Sequence, residues 1–309
     1  MSVGRLANLL IVGVPKAGTT SLFGYLEQHP EICGSDLKEI GYFTHVHPLA
    51  KGDRSLPPVE SYMAHFAHCS GERYALEATP SYSYGGESVI AAVKDVLGEP
   101  KIVMSLRNPT DRLWSAYTYQ RSLGNIPTIR SFEQYLAVCE QRRRDGTDRI
   151  TTSRLQGLAI GFYADYVPDW LDAFGTDMRV IFAEELAANP VSVVARLFTW
   201  LDIDAAPATT VDLSTRNVTN HPRSVPMATA VFAAKRLGDR LGILPAGVRK
   251  PLRAAYLRLN SGSLKERLDP ELRRHVDELY ASSNRRVADA LSRRGYTDLP
   301  AWLDHSAAG

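Results

Sequence analysis

The sequence predicts an α/β fold: one domain with a central parallel sheet flanked by helices. Three observations lead there. Short apolar runs that read as buried strands recur at Leu9–Val14, Lys101–Leu106 and Met178–Phe182, with a weaker run at Tyr74–Ala78. Helical stretches lie between them, and strands alternating with helices pair in parallel through right-handed crossovers. No fixed-period repeat or long low-complexity tract divides the 309 residues, and the Pro- and Gly-containing stretches at Lys51–Val59 and Pro245–Pro251 are too short for linkers, so residues 1–309 are expected to form one domain.

The elements follow in chain order. Leu9–Val14 is a buried strand that runs into a glycine-containing turn and a helix over Ser21–Gln28. Lys101–Leu106 feeds Asn108-Pro109, an N-cap followed by a first-turn proline, and then a helix over Asp111–Arg121. The same signal returns at Asn189-Pro190, ahead of an apolar face of Val193, Val194, Leu197, Phe198 and Leu201. It appears again at Asp269-Pro270, ahead of Leu272, Val276, Leu279 and Val287, with Gly295 ending that helix.

Composition sets the class. Hydrophobic residues make up 44% and charged residues 23%, the proportions of an ordinary folded protein. Lys plus Arg total 36 against 34 for Asp plus Glu, and the net charge of +2 is too small to steer the molecule to nucleic acid. Cys33, Cys69 and Cys139 are odd in number and widely spaced, which suggests neither a disulfide framework nor a zinc site and favours a reducing compartment. The apolar run Leu9–Val14 is far shorter than a membrane span and lacks the layout of a signal peptide, so a cytoplasmic protein is expected.

The segment Gly13-Val14-Pro15-Lys16-Ala17-Gly18-Thr19-Thr20-Ser21 carries the chemistry. It follows a strand and opens a helix, so main-chain amides and the helix dipole converge on a point suited to an anion. The spacing is that of a P-loop-type nucleotide site, but Thr19 stands where that motif places its lysine, and the lysine has moved back to Lys16. Phosphoryl transfer relies on that lysine and on magnesium to neutralise dispersed charge. A sulfuryl group carries less charge, and one lysine with a ring of amides suffices for it without a metal. Pro15 to Leu22 resembles the 5′-phosphosulfate loop of the sulfotransferases that use 3′-phosphoadenosine-5′-phosphosulfate (PAPS). The resemblance implies that Lys16, Ala17, Gly18, Thr19, Thr20 and Ser21 bind the donor and that Lys16 also acts in catalysis. No metal is expected.

PAPS carries a 3′-phosphate and needs a second anion site, preferably with arginine or hydroxyl donors. Arg107-Asn108-Pro109-Thr110-Asp111-Arg112-Leu113-Trp114-Ser115 resembles the family's 3′-phosphate motif, which gives that role to Arg107 and Ser115. Similarity to bacterial and glycan-directed members continues through Gly161–Ile203. Asn217 to Ser224 is similar to the late loop that closes over the adenosine, with Arg223 as the candidate phosphate contact and Arg216 as the alternative. The Lys-Gly pair common in that loop is missing.

Sulfuryl transfer to an alcohol needs a proton acceptor. Lys38-Glu39-Ile40-Gly41-Tyr42-Phe43 resembles the Lys-Glu-x-x-Phe-Phe segment of the glycan sulfotransferases, which implies Glu39 as the base and Lys38 beside the reacting group. His45 and His47 are rival bases, and His45 is also assigned to the acceptor side. Glu77-Ala78-Thr79-Pro80 resembles an acceptor-lining segment, often Glu-Lys-Thr-Pro, with Glu77 implied to touch substrate and Ala78 in place of the lysine. The expected acceptor is a carbohydrate, glycolipid or small metabolite, with 3′-phosphoadenosine 5′-phosphate (PAP) as product. Two other readings of the loop are a nucleotide-dependent kinase and a PAP-binding module without turnover. Arg142, Arg143 and Arg144 read as the cationic end of a helix, and the basic residues from Lys235 to Arg258 allow at most peripheral membrane contact.

Overall fold

In the computed structural model, which describes residues 4–48, 50, 52, 54–148, 154–213, 221–222, 261–262 and 267–303, β1 (Leu9–Gly13) is the middle strand of a five-stranded sheet. The others are β2 (Ile32–Gly34), β3 (Tyr74–Ala78), β4 (Lys101–Leu106) and β5 (Met178–Phe182), in the order β2-β3-β1-β4-β5. All pairings are parallel: Leu10 lies opposite Glu77 on one side and Ile102 on the other, and Leu106 opposite Phe182. The expected parallel sheet flanked by helices is therefore the observed one. β1 and β3 are buried throughout, because helices cover both faces and leave no polar side to alternate with.

The faces separate with the strand period of two. Leu10, Val12, Met104, Leu106, Val180 and Phe182 point into one apolar cluster, against Val89 and Val93 of the helix Gly86–Leu97, Trp170 and Phe174 of Val167–Phe174, and Val287 and Leu291 of the C-terminal helix Pro270–Ser292. Leu9, Ile11, Leu76, Val103 and Ile181 point into the other, against Leu22 and Leu26 of the helix Thr19–Leu26 and Val193, Leu197 and Phe198 of Pro190–Trp200. Each fully buried side chain of this size stabilises the fold by about 1.5–3 kcal/mol.

The helix starts obey the capping signals. Asn108 Oδ1 accepts from the amides of Thr110 and Asp111 at 2.9 and 3.1 Å, and Asn189 caps Pro190–Trp200 by accepting from the Ser192 amide. Among the described residues no helix is long and apolar enough to cross a membrane.

Two compact units are distinguished by their internal contacts: residues 1–112, 162–217 and 279–309, which hold the sheet, and residues 113–161 and 218–278. The second unit has its own aromatic cluster of Trp114, Tyr117, Phe132 and Tyr135, and its helix Phe132–Arg144 ends in Arg142, Arg143 and Arg144. Cys139 is a buried free thiol there, donating to the Leu155 carbonyl.

The cysteine expectation is corrected. Cys33, on the edge strand β2, forms a disulfide with Cys69, 36 residues on. The short helical turn Ala64–Phe66 lies against the chain just after β2, where the Asp36 amide donates to the His65 carbonyl at 3.1 Å. Nothing in a spacing of that length announces such an approach.

Candidate active site

Ligands of parallel α/β sheets bind beyond the carboxyl ends of the strands. Four chain segments leave the sheet at that edge: Val14–Gly18 after β1, Ser35–Glu39 after β2, Thr79–Tyr84 after β3 and Arg107–Thr110 after β4. Gly13 must be glycine, since a Cβ there would stand 2.4 Å from Ser83 Cβ of the β3 turn.

The loop after β1 is tied to β4. The Val14 amide donates to the Ser105 carbonyl at 2.8 Å, Ser105 Oγ donates to the Ala17 carbonyl at 2.5 Å, and the Arg107 guanidinium donates to the Lys16 carbonyl at 3.2 Å. Gly18, at φ +80°, caps the helix Thr19–Leu26 without any side-chain acceptor. The positive end of that helix dipole favours an anion at its first turn. Thr19 and Ser21 are buried, Thr20 is half-buried and Gly18 is exposed.

Lys16 is the electrostatic centre. Burial first and Arg107 second lower its ammonium, Glu39 opposes them, and the net effect brings it to about 8. A lysine held this way is a cation short of solvation, and an anion restores what water does not supply. The charge, the amides and Arg107 together fit a phosphosulfate.

Lys38 and Glu39 meet as an ion pair, Nζ to Oε1 at 2.8 Å, with Glu39 the more exposed partner. Lys16 and Glu39 both hold left-handed backbone, at φ 72° and 66°; Asp202 is the other non-glycine residue to do so among those described. Such conformations cost about 1–2 kcal/mol each and persist where neighbours enforce them. Three bonds to the end of β3 and its turn enforce the one at Glu39: its amide donates to the Ala78 carbonyl at 3.0 Å, the Gly41 amide to Thr79 Oγ1 at 3.2 Å and the Phe43 amide to Tyr82 Oη at 3.3 Å.

Glu77 departs from expectation. Its side chain is fully buried, with Oε1 accepting from Thr79 at 2.8 Å and Tyr82 at 2.6 Å, and Oε2 accepting from Tyr62 at 2.5 Å. Instead of facing an acceptor, it holds the two hydroxyls that anchor the Glu39 segment. Burial raises its carboxyl above the ordinary range, and the three hydrogen bonds oppose that rise. Thr79, Tyr82 and Tyr62 complete this support, which no short motif encodes.

His45 is exposed on the turn Tyr42–Val46. His47 is buried against Tyr84, ring centroids 5.2 Å apart, and burial lowers it to about 4, so it is neutral near pH 7. Ser115 lies half-buried on the helix Pro109–Ser122, within the second unit. Arg216, Arg223 and the basic residues from Lys235 to Arg258 lie outside the described residues.

The family profile described as Sulfotransferase domain matches residues 6–288. The chain is 24% identical over 310 residues to the bifunctional heparan sulfate N-deacetylase/N-sulfotransferase 1 of Caenorhabditis briggsae, a match covering 97% of this chain and 32% of that protein. It is 26% identical over 246 residues to carbohydrate sulfotransferase 15 of Rattus norvegicus, covering 64% of this chain and 44% of that one. The chain thus spans about a third to a half of the length of these curated relatives. Among solved structures, a sulfotransferase from Alicyclobacillus acidocaldarius superposes with a TM-score of 0.66 at 25% identity, covering 97% of this chain and all of that one.

Proposed function

Because this chain belongs to the sulfotransferase domain family, we propose that it moves a sulfuryl group from PAPS to a hydroxyl or amine of a carbohydrate, glycolipid or small metabolite, releasing PAP. The observation that carries this reading is the meeting of Lys16, Arg107 and Glu39 at one edge of the sheet, where Arg107 and Glu39 both act electrostatically on the Lys16 ammonium. The relatives named for heparan sulfate and carbohydrate support a sugar acceptor. In this reading residues 1–309 form one sulfotransferase domain that acts in the cytoplasm.

When bound, PAPS supplies an activated sulfuryl group on a phosphate leaving group. The chain supplies the rest. Lys16 and the first-turn amides of Thr19–Leu26 hold negative charge at the loop, and Arg107, with Ser115 and Arg223, is assigned to the 3′-phosphate. Lys38 fixes Glu39 Oε1, so the carboxylate is oriented to take the acceptor's proton. The fixed positions remove the entropic cost of bringing the groups together, and preorganised charge favours the transition state.

The test is incubation of the chain with sulfate-labelled PAPS and an extract of its own cells, followed by isolation of labelled product. Product is expected from the wild-type chain and not from Lys16→Ala. Equal transfer with ATP and magnesium would turn the assignment to a kinase, and PAP binding with no labelled product would turn it to a binding module.

A further inference from the structure

Cys33, His68 and Cys69 form a cluster of ligand-type side chains that the transfer reaction leaves unused, and all of its donor atoms lie within 4.8 Å of one another. His68 Nε2 stands 3.4 Å from Cys33 Sγ and 3.9 Å from Cys69 Sγ. Zinc bonds of about 2.3 Å to sulfur and 2.0–2.1 Å to nitrogen, at tetrahedral angles, place sulfur and nitrogen roughly 3.6 Å apart and two sulfurs roughly 3.8 Å apart. Two edges of that tetrahedral face are therefore already near length. Only the sulfur–sulfur edge is short, because the sulfurs are bonded.

We infer that Cys33, Cys69 and His68 form a redox-gated site for a thiophilic divalent cation, Zn²⁺ by ligand type, and that the disulfide is its metal-free oxidised form. A dithiol or phosphine reductant delivers two electrons to the sulfur–sulfur bond, and the two thiols lose two protons as they ligate the cation. In reverse, a small-molecule disulfide takes two electrons from the thiolates, the Cys33–Cys69 bond forms, two small thiols leave with two protons and the cation is released.

The surroundings suit this cycle. Cys33 is buried on β2, Cys69 is half-buried and His68 is exposed, so the cation has a way in and one coordination position open to water. In the oxidised form His68 Nε2 lies 3.0 Å from the Gly34 carbonyl and donates to it. Ligation requires the proton on Nδ1 instead, and the ring exchanges the carbonyl for the metal. In the reduced state the metal would bridge the same two ends of the 33–69 segment that the disulfide bridges in the oxidised state.

The experiment titrates Co²⁺, then Zn²⁺ in competition, into the full chain with its disulfide intact and after phosphine reduction and desalting without oxygen. The reduced chain is expected to bind one equivalent with thiolate-to-cobalt charge-transfer absorption, and the disulfide form none at this site. Cys33→Ser and Cys69→Ser should abolish the absorption, His68→Ala should weaken binding at least tenfold, and oxidised glutathione should release the metal. His68→Ala keeps both cysteines and replaces an exposed residue, so it reports even where a cysteine variant loses its fold. Binding by the reduced chain no greater than by Cys33→Ser, or undiminished in His68→Ala, would overturn the inference.

Discussion

Glu39 acts on the Lys16 ammonium from a second loop, and both residues hold left-handed backbone, at φ 66° and 72°. One carries the charge for an anion and the other a carboxylate for a proton. The sheet brings them together because β1 and β2 end at the same edge, and neighbouring hydrogen bonds keep each backbone in place.

The Lys16 environment predicts a pH dependence. Its ammonium, lowered to about 8, loses its proton as pH rises through that value, far below an ordinary lysine. PAP affinity measured by calorimetry should therefore fall by up to about tenfold between pH 7 and 9, as one charge-assisted contact is lost. Lys16→Arg should keep affinity flat across that range, because a guanidinium does not titrate there. A wild-type affinity that is also flat to pH 9 would place Lys16 away from the phosphates.

Glu39→Gln separates proton transfer from donor binding. The amide keeps the size of the side chain and loses the basic oxygen, so kcat should drop by about 10²–10⁴-fold while PAP affinity stays within roughly twofold. Since His47 is neutral and buried, His47→Asn should leave the pH profile of the remaining turnover unchanged. Wild-type turnover in Glu39→Gln would move the base to His45.

Much of the fold is readable because β1, β3, β4 and β5 are apolar runs bounded by turns, and because Asn108-Pro109 and Asn189-Pro190 carry their own caps. β2 is not readable: three residues on a sheet edge give too short a pattern for either period. Within the site, Lys16, Arg107 and Glu39 sit in local motifs. The Glu77 support is written in residues 2 to 15 positions away, and the Cys33–Cys69 link spans 36, so only the folded chain shows them.

The disulfide should be worth measuring in stability. Closing a segment 36 residues long removes chain entropy from the unfolded state, which corresponds to about 3–4 kcal/mol in the loop-closure picture. Urea unfolding with reductant and chelator present should show a midpoint lower by that amount divided by the m-value, and the Cys33→Ser, Cys69→Ser double variant should match the reduced chain. Unchanged midpoints would mean that the native turn already holds the two ends together in the unfolded ensemble.

Glu77 offers the sharpest separation of support from contact. Glu77→Ala would leave the buried hydroxyls of Tyr62, Thr79 and Tyr82 without their shared acceptor and open a cavity, together costing about 3 kcal/mol or more. Glu77→Gln keeps the volume and one acceptor oxygen and should recover most of that loss. The sign of its titration points the same way: a carboxyl raised by burial is less costly to the fold when protonated, so stability from this group falls as pH climbs from its unfolded value through its raised folded value. Denaturant midpoints of the wild type, relative to Glu77→Gln, should therefore decline over that interval. Because Thr79 and Tyr82 also anchor Gly41 and Phe43, residual Glu77→Ala should lose kcat more than PAP affinity. A variant that folds stably yet loses only acceptor KM would return Glu77 to the acceptor wall.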